Sequence, residues 1–229
     1  MKILFISDVH SNLHALEKVL EYIKNLDVDE IFCCGDIVGY NAFPSECLKI
    51  IRRNNIKSVM GNHDWAVTTG DTSGFNPYGV AGVEYSRKKL LKEEIEFLKR
   101  LPKNISFSRD DISFYVVHGS PRDNIFEYVF PNYPESLFNL FARMVDAEIT
   151  VLGHTHIPME RIVDGKIFLN PGSVGQPRDS NSNASFMIFD TEDRTYKWYR
   201  VAYDVDSAAD AIRKSGLPLF LAERLHIGL

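Results

Sequence analysis

The chain has 229 residues, 45% hydrophobic and 25% charged, with a net charge of -5 and a pI near 5.8. That balance excludes a disordered or membrane-embedded chain and argues against a broad nucleic-acid surface, while the length suits one core. With no Pro/Gly/Ser-rich linker, residues 1–229 read as a single domain.

The first apolar run, Lys2 to Ile6, stops at Ser7-Asp8-Val9-His10, too early for a secretory signal. No later stretch approaches the ~18 apolar residues of a membrane helix. Cys33, Cys34 and Cys47 lack zinc-site spacing and read as reduced core residues, so the expected location is the cytoplasm.

Asn12 to Asn25 places Leu13, Leu16, Val19, Leu20 and Ile23 on one helical face. Asp29 to Cys34 is a second strand ending in Gly35-Asp36, Pro44 to Asn54 a helix, and Lys57 to Met60 a strand ending in Gly61-Asn62-His63-Asp64. Such alternation predicts right-handed crossovers and a mostly parallel sheet, with ligands at the carboxyl ends of its strands. Trp65 to Tyr78 reads as a loop, and Gly82 to Arg100 as one long helix.

From Asn104 the pattern changes to short strands. A hairpin over 105–117 leads into His118-Gly119, Pro134 to Val145 is helical, and Glu148 to Leu152 runs into Gly153-His154-Thr155-His156. Met159 to Val163 and Lys166 to Leu169 flank an Asp164-Gly165 turn suited to type I′. The Asn170-Pro171-Gly172-Ser173 bend, strands at Ala184 to Asp190 and Thr195 to Tyr203, and helices at Ser207 to Lys214 and Pro218 to Leu225 complete the chain. The two last helices could cover a sheet edge or form a homo-oligomer contact.

Five strand ends thus carry Asp, Asn or His beside glycine. One such histidine is ordinarily a structural residue; five coincident clusters point to metal. Carboxylate, amide and imidazole donors together suit manganese, iron, cobalt, nickel or zinc better than calcium, and the absence of cysteine donors argues against structural zinc. Two Asp, one Asn and four His are more ligands than one ion needs. A pair of ions bridged by a carboxylate uses them all.

These motifs, Asp8-Val9-His10, Gly35-Asp36, Gly61-Asn62-His63-Asp64, His118-Gly119 and Gly153-His154-Thr155-His156, resemble in order those of the calcineurin-like metallophosphoesterases. The Asn170 to Ser173 bend is similar to one in their small bacterial and archaeal phosphodiesterase branch. The resemblance implies a four-layer α/β/β/α sandwich and two divalent transition-metal ions, with manganese favoured. It assigns Asp8, His10 and His156 to the first ion, Asn62, His118 and His154 to the second, and Asp36 to both. A hydroxide shared by two cations would attack phosphorus, and His63 would assist the leaving group.

Asp64 either orients the His63 imidazole catalytically or caps a loop. Asn12 either binds substrate or caps the first helix, and Arg178 is either a phosphate ligand or a solvated surface arginine. Arg122 is a weaker candidate, and Tyr40, Phe75 and Tyr78 could stack on a nucleobase or pack in the core. The expected substrate is a small phosphodiester or nucleotide. Dinucleoside polyphosphate or phosphomonoester hydrolysis are the alternatives; Ile37-Val38-Gly39 after Asp36 lacks the Asp-Arg-Gly of protein phosphatases. A metal-binding scaffold is the non-enzymatic alternative, and His63 with a full ligand set speaks against it.

Overall fold

The computed structural model describes residues 1–229. One five-stranded sheet has the order β10-β9-β1-β2-β3, built from β1 (Lys2–Ile6), β2 (Glu30–Cys33), β3 (Lys57–Ser58), β9 (Ala184–Asp190) and β10 (Thr195–Val201). β1, β2 and β3 are parallel, while β9 is antiparallel to β1 and β10 to β9. The second five-stranded sheet, β4-β5-β6-β8-β7, comprises β4 (Asn104–Arg109), β5 (Ile112–Val117), β6 (Ile149–Val151), β7 (Met159–Val163) and β8 (Lys166–Asn170). Here β5, β6 and β8 are parallel and the outer strands antiparallel.

The period-2 alternation of β1 explains the layering. Ile3 and Phe5 enter a core with Phe32, Phe114, Val151 and Phe189 between the sheets, whereas Leu4 and Ile6 join a second core beneath the helices. That second core receives α1 (Leu13–Ile23) and α2 (Pro44–Arg53); α6 (Glu135–Met144) covers the far side of the other sheet through Phe138 and Phe141. The result is the expected α/β/β/α sandwich. α7 (Val205–Ser215) and α8 (Leu219–Ile227) pack on each other, with Tyr40 in the same cluster. No helix is long and apolar enough to cross a membrane.

Two expectations, one of a loop and one of a helix, need correction. The stretch after Asn62 is not loop throughout: α3 (Asn62–Thr69) starts inside the motif, where the Asp64 carboxylate accepts from the Gly61 N–H and so caps the first turn. Eight residues give too little periodicity to reveal it. The single helix expected over 82–100 is two, α4 (Pro77–Lys89) and α5 (Lys92–Lys99), because Leu90 and Leu91 are extended and Glu94 caps the Leu91 N–H at 2.9 Å. The Asp164-Gly165 turn has both φ positive, as type I′ demands, and the three cysteines are free and buried.

Candidate metal centre and catalytic site

The parallel strands of both sheets bring their carboxyl ends to one edge of the sandwich. There the backbone is strained: Asp8 (φ 52°), His10 (47°), Asp36 (55°), His154 (69°) and His156 (61°) are all left-handed. Non-glycine residues hold such angles at ~1–3 kcal/mol each, when surroundings fix them. Main-chain bonds do so here, from Asp8 N to Gly35 O (3.0 Å), His10 N to Asp36 O (2.9 Å) and Gly175 N to Asp8 O (2.9 Å). Glycine is required alongside, since a Cβ on Gly61 would stand 2.1 Å from Asp36 Oδ1 and one on Gly153 2.3 Å from Ser7 Oγ.

The side chains make two clusters sharing one carboxylate. Asp8 Oδ1 lies 3.2 Å from His156 Nε2 and 3.7 Å from His10 Nε2. On the other side His118 Nε2 is 3.0 Å from both Asn62 Oδ1 and His154 Nδ1. Asp36 Oδ2 stands between them, 3.5 Å from His10 Nε2 and 3.5 Å from His118 Nε2. All seven residues are buried.

Each imidazole is oriented from behind. The Nδ1 atoms of His10, His118 and His156 donate to Val38 O (3.1 Å), Cys34 O (2.8 Å) and Gln176 O (2.5 Å), and His154 Nε2 donates to Phe126 O (3.2 Å). Every ring therefore turns an unprotonated nitrogen inwards. Yet the inward nitrogens of His10 and His156 are 3.1 Å apart, and those of His118 and His154 3.0 Å. Lone pairs facing each other at that distance repel unless a cation lies among them. Asp8 Oδ1 is likewise buried without a hydrogen-bond partner, although Oδ2 is bonded by Ser7 Oγ (2.5 Å) and His154 N (3.1 Å). These donors fit divalent transition metal.

The electrostatics agree. Burial pushes His10, His63 and His154 well below the ordinary imidazole range and His156 down to about 4. Burial, then the Asp64 and Asp8 carboxylates, push Asp36 up. For Asp8 burial also pushes upward, but the imidazoles of His156, His118 and His10 outweigh it and the net shift is down.

His63 stands beside the clusters. Its ring centre is 4.7 Å from that of His10 and 4.4 Å from that of Tyr40, and its main-chain N–H donates to Asp36 Oδ1 at 2.8 Å. Its Nδ1 is buried and unpartnered. Gly39, overlooked in the sequence, makes room: a Cβ there would lie 2.4 Å from His63 Nδ1, and its φ is 98°. Asp64 does not touch that imidazole. Its Oδ1 accepts from Ile37 N (3.0 Å) and Val38 N (3.2 Å) and its Oδ2 from Gly61 N (3.1 Å), so it fastens two turns together.

Asn12 has the capping geometry: Oδ1 accepts from Ala15 N at 3.1 Å, and Nδ2 donates to Gly175 O (2.9 Å) and Tyr203 OH (3.2 Å). Arg178 lies close to the site, against the Tyr40 ring. Arg122 pairs with Glu127. A cavity of about 370 Å³ adjoins the clusters, lined by Tyr40, His63, Phe75, Phe126, Tyr128 and His154. Tyr128 stacks on His154 at 3.7 Å; neither it nor Phe126 carried a signal beyond membership of a loop between motifs. Tyr78 is not at the cavity and packs on Phe220.

The sequence profile of the calcineurin-like phosphoesterase superfamily domain matches residues 1–194. The chain belongs to this superfamily. Calcineurin-like phosphoesterases are metal-dependent, in keeping with the clustered His and Asp donors. An uncharacterised protein of Methanocaldococcus jannaschii is 40% identical over 240 aligned positions, 97% of this chain and 96% of that one. A phosphodiesterase of the same organism is 25% identical over 203, covering 86% and 97%. The crystal structure of a metallophosphoesterase from Sphaerobacter thermophilus matches with a TM-score of 0.87 at 36% identity, over 100% of this chain and 99% of that one.

Proposed function

We propose that this phosphoesterase is a phosphodiesterase working with two divalent transition-metal ions, manganese first among them. Asp8, His10 and His156 would hold one ion, Asn62, His118 and His154 the other, and Asp36 both. The observation that carries this reading is Asp36 Oδ2, at 3.5 Å from an inward imidazole nitrogen of each cluster. A scaffold would gain nothing from facing lone pairs and strained backbone.

Such ions supply positive charge at the phosphoryl oxygens and acidify water to a pKa of ~7. The protein's own groups do the rest. Burial, Arg178 and His156 keep the His63 ring neutral, so it acts as an N–H donor that stabilises charge developing on the departing oxygen. Its main-chain N–H holds Asp36 Oδ1, so Oδ2 is the oxygen that faces His10 and His118. The aromatic walls of the cavity receive the organic part of an ester and exclude water, which supports a diester over inorganic or protein substrates.

Titration of chelated protein with manganese should saturate at two ions per chain by elemental analysis. Loaded protein should cleave bis(p-nitrophenyl) phosphate faster than p-nitrophenyl phosphate. His63→Ala should keep both ions and lose ~10²-fold or more in kcat. Saturation at one ion, or a preference for the monoester, would contradict the proposal.

A further inference from the structure

We infer that Arg178 and Arg224, both packed against Tyr40, form a second anion subsite beside the metal centre, and that the substrate carries a further phosphate besides the one attacked. The inference rests on the phosphodiesterase reading and narrows its substrate to polyphosphorylated esters.

The Cζ atoms of Arg178 and Arg224 lie 5.7 and 5.9 Å from the Tyr40 ring centre. That ring is itself 4.7 Å from His10 and 4.4 Å from His63, centre to centre. The two guanidiniums therefore stand one aromatic ring away from the reacting edge.

Neither arginine forms an ion pair with a side-chain carboxylate, whereas Arg109, Arg122, Arg194, Arg200 and Arg213 each do. Asp179, next to Arg178, is taken by Arg200. Arg178 Nη2 donates to Gln176 Oε1 at 3.0 Å and reaches Tyr40 OH at 3.5 Å, while its Nε is buried with no partner. Arg224 Nε donates to an oxygen of Leu229, the last residue, and neither of its Nη groups has a hydrogen-bond partner. Burial, and then the nearby Arg178, pull Arg224 down to about 10, so the two cations repel each other. An oxyanion between them would relieve that repulsion. Phosphate matches paired guanidinium forks in both charge and geometry.

The pair is held in place by the fold. Ser180 N donates to Gly228 O at 3.0 Å, so the end of α8 is bonded to the loop that carries Arg178. Gly228, at φ 65°, lies so close to that loop that a Cβ would stand 2.5 Å from Asn181 N. α8 begins at Leu219, beyond the superfamily match over 1–194. Arg224 thus lies outside the residues that the superfamily profile matches.

Inorganic pyrophosphate is the probe. Calorimetric titration into protein freed of metal by chelation and gel filtration should show saturable binding. Affinity should fall about tenfold in Arg178→Gln and in Arg224→Gln, take an intermediate value in Arg224→Lys, and stay at the wild-type value in Glu223→Gln, an exposed neighbour on α8. No binding to the metal-free protein, or equal affinity in the arginine variants, overturns the subsite. Malonate binding more tightly than pyrophosphate overturns its assignment to phosphate. Hydrolysis of bis(p-nitrophenyl) phosphate by manganese-loaded protein is measured in parallel, because this diester has no second anion. Its failure would count against the phosphodiesterase reading alone, leaving the titration to judge the arginines.

Discussion

Between the sheets, Phe32 stacks on Phe107 at 4.3 Å and Phe107 on Phe114 at 4.9 Å, within a layer that includes Ile3, Phe5, Val151 and Phe189. A few residues further along the same strands, Asp8, Asp36 and His118 are buried just as deeply, yet they are ionisable and two of them have left-handed backbone. Burying each large apolar side chain is worth ~1.5–3 kcal/mol, while burying a carboxylate costs several. The apolar layer offsets what the edge loses. It also holds the edge rigid, because Cys34, inside the layer, supplies the carbonyl that orients His118. The contrast teaches that stability and activity should be separable by mutation along one strand.

The largest test of that separation is Asp36→Asn, which keeps the acceptor for His63 N but removes the shared charge. Turnover of a diester should fall by at least ~10³-fold with fewer than two ions bound, as expected for loss of metal-supplied charge stabilisation. In the metal-free protein the same change should raise the unfolding free energy measured in urea by about 1 kcal/mol, since a buried carboxylate that burial and its neighbours push up is gone. Phe114→Ala should do the reverse, costing ~3–5 kcal/mol of stability while two ions still bind below its melting temperature. A destabilised Asp36→Asn protein would break the comparison, as would ion loss from folded Phe114→Ala.

Acid should reach the edge before the core. His156, held at about 4 by burial and Arg178, lies below the ordinary imidazole value of 6.5, so the unfolded chain takes the proton first. The stability it contributes is whole above pH 6.5 and is lost as pH falls through 6.5 to 4; for this residue that is about 3 kcal/mol. His10, His63, His118 and His154 shift in the same direction. Asp36 and Asp64, raised chiefly by burial, act in the opposite sense, but five imidazoles outnumber them. Urea titrations of the metal-free protein at pH 7.5, 5.5 and 4.5 should show a falling midpoint. A flat profile would mean that the rings are protonated when folded.

Legibility in the sequence follows the range of each interaction. Asp8, Asp36, His118 and His154 were readable because a strand and the turn after it form a local pattern, and parallel strands deliver all such turns to one edge. The two-sheet sandwich came from the same alternation together with the resemblance. Asp64 and Asn12 were ambiguous for a chemical reason: one carboxylate or amide can serve a ligand or a main-chain N–H equally well. Only coordinates show Asp64 bound to Ile37 N and Val38 N. Gly39, Tyr128 and Arg224 reach the site through tertiary packing, with no local pattern to mark them.

The smallest predicted effect lies where the two regions meet. Asn12 follows the strained turn of His10 and starts α1, and its amide also reaches Gly175 O and Tyr203 OH. Asn12→Ala should cost ~0.5–2 kcal/mol, the range for a lost helix cap, and leave KM for a diester unchanged. Asn12→Asp keeps the acceptor for Ala15 N but loses both donor bonds, so its stability should fall between wild type and alanine. A raised KM in either variant at unaltered melting temperature would instead return Asn12 to the substrate. The boundary between scaffold and site would then lie one helix turn further from the metals.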